Sequence, residues 1–446
     1  MTTFALRAEQ ALLPGGWACD VTVRVEDGRI VGLGGEGGTP VGVLMPAPVN
    51  LHSHAFQRAM AGMTERRGTG SDSFWTWRTL MYRFLEHLTP DDGQTIAAMV
   101  QVEMAEAGYA AVCEFHYLHH GVGGVPYENR AEMAQRVVAA AEVTGLGLTL
   151  LPVLYMQGGC DGRPLAGGQL RFHNDLNGFH EVLEGVHAMA ADAVLGVAPH
   201  SLRAVPPDAL RAVAAMRPGT PVHIHAAEQK AEVAEVLGAY GRRPVEFLLD
   251  QGIGPRWCLI HATQMVPAET VALAQSGAVA GLCPITEGNL GDGVFDGVRH
   301  AGAGGRIGVG SDSNVLISLT EELRLLEYGQ RMRDHGRAVM AGPGGSTGRA
   351  LYDAVLAGGA QAAGRASGAI APEMWADLVA LDGRALALEG RVGDDLLDSW
   401  IFATSQSVVT DTWSAGRHLV QGGRHVARDQ VEAAFRAVMA RLRGVM

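Results

Sequence analysis

Lysine is almost missing from this 446-residue chain. Of its 35 basic residues one is a lysine, Lys230, and 35 − 1 = 34 are arginines. Any mechanism that needs a lysine elsewhere is excluded. Cysteine is scarce too: Cys19, Cys113, Cys160, Cys258 and Cys283 are odd in number, widely spaced and include no CxxC pair. This argues against a disulfide frame or a thiolate zinc site and fits a reducing compartment. Positive charge is not in excess. A formal net charge of −12 speaks against nucleic acid or an anionic membrane as partner. Long apolar runs are lacking; the longest, Leu146 to Met156, is too short to span a bilayer. Met1-Thr2-Thr3-Phe4 opens no charged-then-apolar leader, so a soluble cytoplasmic protein is expected. No 20–50-residue repeat or low-complexity linker interrupts the chain.

With 47% hydrophobic and 18% charged residues a large core is easily built, and 60 glycines suit many short turns and close helix–strand packing. The chain alternates short β-branched or leucine-rich runs with longer helical stretches. The runs fall near 45–52, 109–117, 147–155, 194–200, 221–226, 257–262, 278–284 and 306–311. Helical segments such as Thr95 to Glu106, Arg130 to Ala141, Pro207 to Met216 and Ala231 to Leu249 lie between them. This alternation predicts an α/β chain folded as a (β/α)₈ TIM barrel, its parallel strands buried on both faces. The ends alternate on a shorter period, as at Val21, Val23 and Val25 and again at Asp377 to Asp382. Residues 1–45 and 371–446, the latter with a terminal helix, are therefore expected to build one small β-sandwich domain around a barrel of 46–370.

Barrel chemistry sits at the carboxyl ends of the strands. The first run ends Val49-Asn50-Leu51-His52-Ser53-His54, and histidines two apart on a strand share one face. An isolated HxH is weak evidence, but others accompany it. Pro221 to Glu228 repeats the pattern and adds a glutamate, Leu259-Ile260-His261 closes a further run, and Ile307 to Asp312 closes another. His225 lies about 6.6 Å further toward the active end than His223, at ~3.3 Å per residue. His225 is therefore read as a ligand and His223 as a buried structural histidine. His52, His54, His225 and Asp312 make a zinc-type set with room for water, which iron or manganese would also accept.

Glu228, three residues past His225, reads either as a first-turn helix acid or as the general acid/base of a hydrolytic reaction. His261 reads as a polariser beside the metal rather than a further ligand. A two-metal barrel of this kind usually needs a carboxylated lysine on strand four. That strand ends Ala198-Pro199-His200, so one metal per chain is expected. The remaining strand-end residues, Gln57, Arg78, Tyr117, His200 and Arg203, should face substrate, and arginine forks with a tyrosine hydroxyl suit carboxylates. Arg78 belongs to an aromatic cluster, Ser73 to Arg78, that either closes over the site or packs on the barrel. A second metal site at His116, His119 and His120 is not favoured, for want of an acid partner.

At these residues the chain resembles the amidohydrolase superfamily, in its mononuclear deaminase branch. Within that branch it looks like the bacterial formimidoylglutamate deiminases. The segments that carry the closer resemblance are Asn50 to Arg58, Asp72 to Arg78, Glu114 to Tyr117, His200 to Val205 and Thr286 to Gly293. The resemblance implies zinc on His52, His54, His225 and Asp312, proton transfer and polarisation by Glu228 and His261, and the glutamate part of a dicarboxylate held by Gln57, Arg78, Tyr117, His200 and Arg203. It implies deimination of N-formimino-L-glutamate, and a homodimer is expected. Rival readings are a nucleobase or aminotriazine deaminase, with base-reading groups in place of the arginines, and a noncatalytic barrel relative, which should have lost ligands. Every ligand position here is filled.

Overall fold

Eight parallel segments carry the barrel: Val49–Ser53, Ala111–His116, Gly147–Leu154, a fourth broken into Val194–Leu195 and Ala198–Pro199, then Val222–Ala226, Trp257–His261, Val279–Leu282 and Arg306–Val309. The computed structural model describes residues 3–65 and 74–444. Of the aromatic segment, Asp72, Ser73 and the side chains of Phe74, Trp75 and Thr76 lie outside the described residues. Strands one, two, three, five, six and seven are buried along their whole length, which is why they read as continuous apolar runs rather than as alternation.

Strands one to four pair as one parallel sheet and five to eight as another. Isolated parallel bridges join them at both seams, Ser53 with Asp312 on one side, Val197 with Val222 and Ser201 with His225 on the other. The two sheets thereby form a ring. At the first seam a Cβ on Gly310 would stand 2.5 Å from the His52 backbone nitrogen, so glycine is what lets strand eight come this close to strand one. Outside the ring, helix Thr347–Ala363 packs on strand eight; a Cβ on Gly358 would lie 1.9 Å from the Ile307 carbonyl oxygen. Among the described residues no helix is long and apolar enough to cross a membrane.

Two boundaries differ from the sequence pattern. The run 45–52 joins the end of strand Thr39–Pro46, which belongs to the terminal sheet, to barrel strand one; the break falls at Ala47 and Pro48, where proline offers no N–H to a ladder. The helical stretch 231–249 is two helices, Lys230–Tyr240 and Pro244–Asp250. Gly241 ends the first with a left-handed φ of 66°, and Pro244 opens the second.

Both ends of the chain meet in one continuous eight-stranded sheet. Its order runs Arg424–His425, Arg417–Gln421, Val409–Ser414, Leu378–Leu381, Thr39–Pro46, Thr3–Leu13, Gly16–Glu26, Arg29–Leu33. The last strand curls back toward the middle of the sheet, where Ile30 N–H donates to Met374 O at 2.9 Å and Ala376 N–H to Gly28 O at 2.8 Å. One sheet thus supplies both layers around Leu6, Val23, Val25, Ile30, Leu44, Leu378 and Trp413. The C-terminal segment does not stay in this sheet. Helix Asp394–Ala403 lies against barrel helices, with Asp398 accepting from Gly348 N–H at 2.7 Å, and helix Arg428–Arg443 joins Glu106 through Arg428 at 2.7 Å. Arg365, following the last barrel helix, forks onto Asp377 at 2.6 and 2.9 Å and reaches Asp192 at 2.9 Å, all three buried.

Candidate metal centre and substrate pocket

The alternation of a strand brings His52 and His54 to one face, and the ring closure adds the rest. His54 Nε2 stands 3.2 Å from Asp312 Oδ1, His52 Nε2 3.4 Å from the same oxygen, and His52 Nε2 3.2 Å from His225 Nε2. The four ligand atoms lie within 4.8 Å of one another, and all four residues are buried. His54 Nδ1–H donates to Phe115 O at 2.9 Å and His225 Nδ1–H to His200 O at 3.1 Å. A carbonyl can only accept, so these bonds fix the tautomer that leaves each Nε2 lone pair aimed inward. Burial keeps the imidazoles neutral, pulling His52 down to about 3 and His225 well below the usual histidine range. Burial works against ionisation of Asp312, but the hydrogen bond from His52 and the neighbouring imidazoles prevail, and its carboxyl stays well below the ordinary range. Inward lone pairs beside one carboxylate repel unless a cation lies between them. The donor set fits a divalent metal, with no thiolate among its members.

Glu228 and His261 stand next to this group. His261 Nε2 is 3.9 Å from Glu228 Oε1 and 3.9 Å from Asp312 Oδ2, while its Nδ1–H points to Glu287 Oε1 at 3.3 Å. Burial pushes the Glu228 carboxyl up, against the pull of His261. Burial would deprotonate His261, yet Glu228, Glu287 and Asp312 together raise its proton affinity. Glu228 is thereby moved toward neutral pH, as acid–base work requires, while His261 is held protonated. Backbone here is held in unusual conformations: Ala227, His261, Ala262 and Asp312 have φ of 52°, 70°, 52° and 43°, left-handed values rare outside glycine. They lie at the ends of strands five, six and eight and turn the side chains inward.

One pocket of about 560 Å³, open to solvent, has His54, His225, Glu228, His261 and Asp312 on its walls together with Gln57, Arg78, Tyr117, His200 and Arg203. All five residues expected to face substrate are thus gathered with the ligand group. Gln57 donates to Tyr117 Oη at 2.6 Å. Arg203 is buried and Arg78 half-buried; both act on His200, which burial and these charges hold well below the usual histidine range. His223 donates to Ala362 O at 2.8 Å one layer below, as a structural histidine does. His119 and His120 bond to Val153 O and His173 O, and with His116 they form no metal-competent group among the described residues.

Sequence reasoning missed several contributors. Tyr82, Tyr155 and Phe172 complete the aromatic wall. Asn50 exchanges bonds with Ser311, whose hydroxyl reaches Asn314, and Asn314 donates to Ser53 and to Asp312 O. This network holds the Asp312 turn to strand one. Its sequence signal was slight: polar residues beside ligands on otherwise apolar strands. Glu287, on helix Pro284–Leu290, lies in the segment Thr286 to Gly293 that carries the resemblance, but no role is read for it from the sequence.

Residues 43–419 match the amidohydrolase family. The chain is 47% identical to formimidoylglutamate deiminase of Pseudomonas aeruginosa, over 98% of this chain and 99% of that one. A solved amidohydrolase of Brucella melitensis superposes with a TM-score of 0.95 at 48% identity, covering 98% of this chain and 99% of its own. An adenosine deaminase of Xanthomonas campestris with bound zinc shares the fold at 20% identity and a TM-score of 0.82, covering 99% and 98%. Barrel, ligand group and full-length likeness agree: the chain belongs to the amidohydrolase family.

Proposed function

We infer that this chain is a metal-dependent deiminase that hydrolyses N-formimino-L-glutamate to N-formyl-L-glutamate and ammonia, a step of histidine breakdown. The observation that carries this reading is one pocket holding both a metal-competent group and two arginines, Arg78 and Arg203. End-to-end identity of 47% with a formimidoylglutamate deiminase supports the same choice. Zinc is the proposed ion, one per chain, on His52, His54, His225 and Asp312. When bound there it supplies a Lewis acid that makes water a nucleophile near neutral pH.

The chain's own residues do the rest. Glu228 takes a proton from the attacking water and passes it to the formimino nitrogen, then carries the proton of the resulting hydroxyl to the same nitrogen as it departs. The C=N bond of the formimino group is exchanged for the C=O bond of the formyl group, and ammonia leaves. His261, kept protonated by its carboxylate neighbours, donates toward the reacting centre and stabilises charge that develops there. Arg203 and Arg78 pair with the two carboxylates of the substrate, and Tyr117, Gln57 and His200 add neutral hydrogen bonds. The formimino group is small, so orientation comes from the carboxylate end.

Ammonia release from purified enzyme over a panel of N-formimino and N-carbamoyl amino acids, adenosine, guanine and an aminotriazine tests the proposal. Formimino-glutamate should be turned over fastest. Faster turnover of a nucleobase or triazine would replace this reading with that of a ring deaminase.

A further inference from the structure

A buried carboxyl that the proposed chemistry does not use lies behind Glu228. Asp292 is 2% exposed, yet its Oδ2 has no hydrogen-bond partner among the described residues. Its other groups are all engaged, one with the helix that directly precedes it and two with other loops of the active end. Asp292 N–H donates to Glu287 O at 2.9 Å, on the helix after strand seven. Gln229 Nε2, on the residue next to Glu228, donates to Asp292 Oδ1. Gln264 Nε2, three residues past His261, donates to the Asp292 carbonyl. The loops are tied further upstream: Gln264 N–H donates to Ala227 O at 2.8 Å, and Thr263 Oγ1 to Glu228 O at 2.9 Å. Glu287 in turn accepts from His261.

We propose that Asp292 is a positioning residue. Through Gln229 and Gln264 it clamps the loops after strands five and six onto the helix after strand seven, and so fixes Glu228 and His261 relative to each other. The inference rests on the deiminase reading for its substrate but not for its geometry. An acceptor role, not a charged one, fits the bonding: Oδ1 takes the Gln229 amide and Oδ2 has no partner among the described residues. The charges that act on Asp292 are those of the Glu228, Glu287 and Asp312 carboxyls, with His261 the cation among them. Burial and these carboxyls push the Asp292 acid up. A protonated or amide side chain still offers Oδ1 to Gln229.

The alternative is that Asp292 merely fills space or caps the helix after strand seven. Three variants separate the two: Asp292→Ala, Asp292→Asn and Gln229→Met. Displacing a reacting group by about 1 Å costs on the order of 100-fold. Asp292→Ala and Gln229→Met should each lower kcat 10- to 100-fold on formimino-glutamate with KM within about threefold and metal content unchanged. The double variant should be no worse than the poorer single, because both remove one contact. Asp292→Asn should restore kcat to within about fivefold of wild type. Hydrogen–deuterium exchange, which needs no substrate, should show faster exchange at 227–229 and 261–264 in Asp292→Ala and Gln229→Met but not in Asp292→Asn.

Multiplicative losses in the double variant, an Asn variant as poor as the Ala one, or unchanged exchange at those segments would overturn the clamp. Failure of wild type to process formimino-glutamate would overturn the substrate assignment alone, since the exchange measurement stands without it.

Discussion

Replacing Arg203 by methionine tests the dicarboxylate pocket most directly. Arg203 is 6% exposed, and the carboxylates of Glu232, Glu228 and Glu235 hold its charge against the cost of burial. A charge-assisted contact to substrate in such a site contributes about 1.5–3 kcal/mol. At about 1.4 kcal/mol per tenfold this is roughly a 10- to 150-fold loss in kcat/KM. Arg203, desolvated, should fall at the upper end of the range. Arg78, half-buried, should fall near the lower end, because water screens what it loses. Arg203→Met and Arg78→Met would be assayed by ammonia release with metal content and melting temperature measured in parallel. Both should keep metal, and the damage should appear mostly in KM because the arginines grip the substrate before and during reaction alike. N-formimino-glutamine, with one carboxylate neutralised, should be poor with wild type and lose much less on one of the two substitutions, which would identify the arginine that faces the side-chain carboxylate. If both variants keep full kcat/KM, or lose it only by losing metal, the assignment of these arginines is wrong.

Other expected outcomes follow from the same geometry. Glu228→Gln should retain metal and substrate binding and lose about 10²–10⁴-fold in kcat; a value within tenfold of wild type would leave Glu228 as a helix-start acid. Metal analysis of active protein should find one equivalent per chain, and a requirement for two would refute the single-centre arrangement. Arg365→Met leaves Asp377 buried without its cation, while Arg417 still forks onto Asp192 at 2.7 and 2.8 Å; one broken buried pair costs about 3–5 kcal/mol. At about 2.1 cal/mol/K per residue, a chain of this size unfolds with roughly 0.9 kcal/mol/K, so calorimetry should show a melting temperature lower by ~3–5 °C. An unchanged transition would mean that the fork between barrel and terminal sheet contributes nothing.

Much of the site was legible before any coordinates, for a local reason. A strand has a side-chain period of two, so His52 and His54 had to share a face. The active end of a barrel lies at strand carboxyl ends, so His225, His261 and Asp312 could be separated from His223 by position alone. Arg203 and Tyr117 were found by the same rule, because they follow strand ends by a few residues. The helix break at Gly241 and Pro244 was also written locally and was passed over because apolar periodicity continued across it.

What the chain alone determined is therefore which residues are candidate ligands, the count of barrel strands and which side chains reach the pocket, since each depends on neighbours within a few positions. Only the tertiary structure decided what holds those groups in place. Asn50 meets Ser311 across 261 positions, and Arg365 meets Asp192 across 173. Asp292 meets Gln229 across 63, and strand Arg29–Leu33 curls back to 373–376. Such pairings leave no periodic trace, because a hydrogen bond between distant segments constrains two residues and not the pattern around them. Ring closure brings these segments together and sets the distances on which the proposed proton transfer depends.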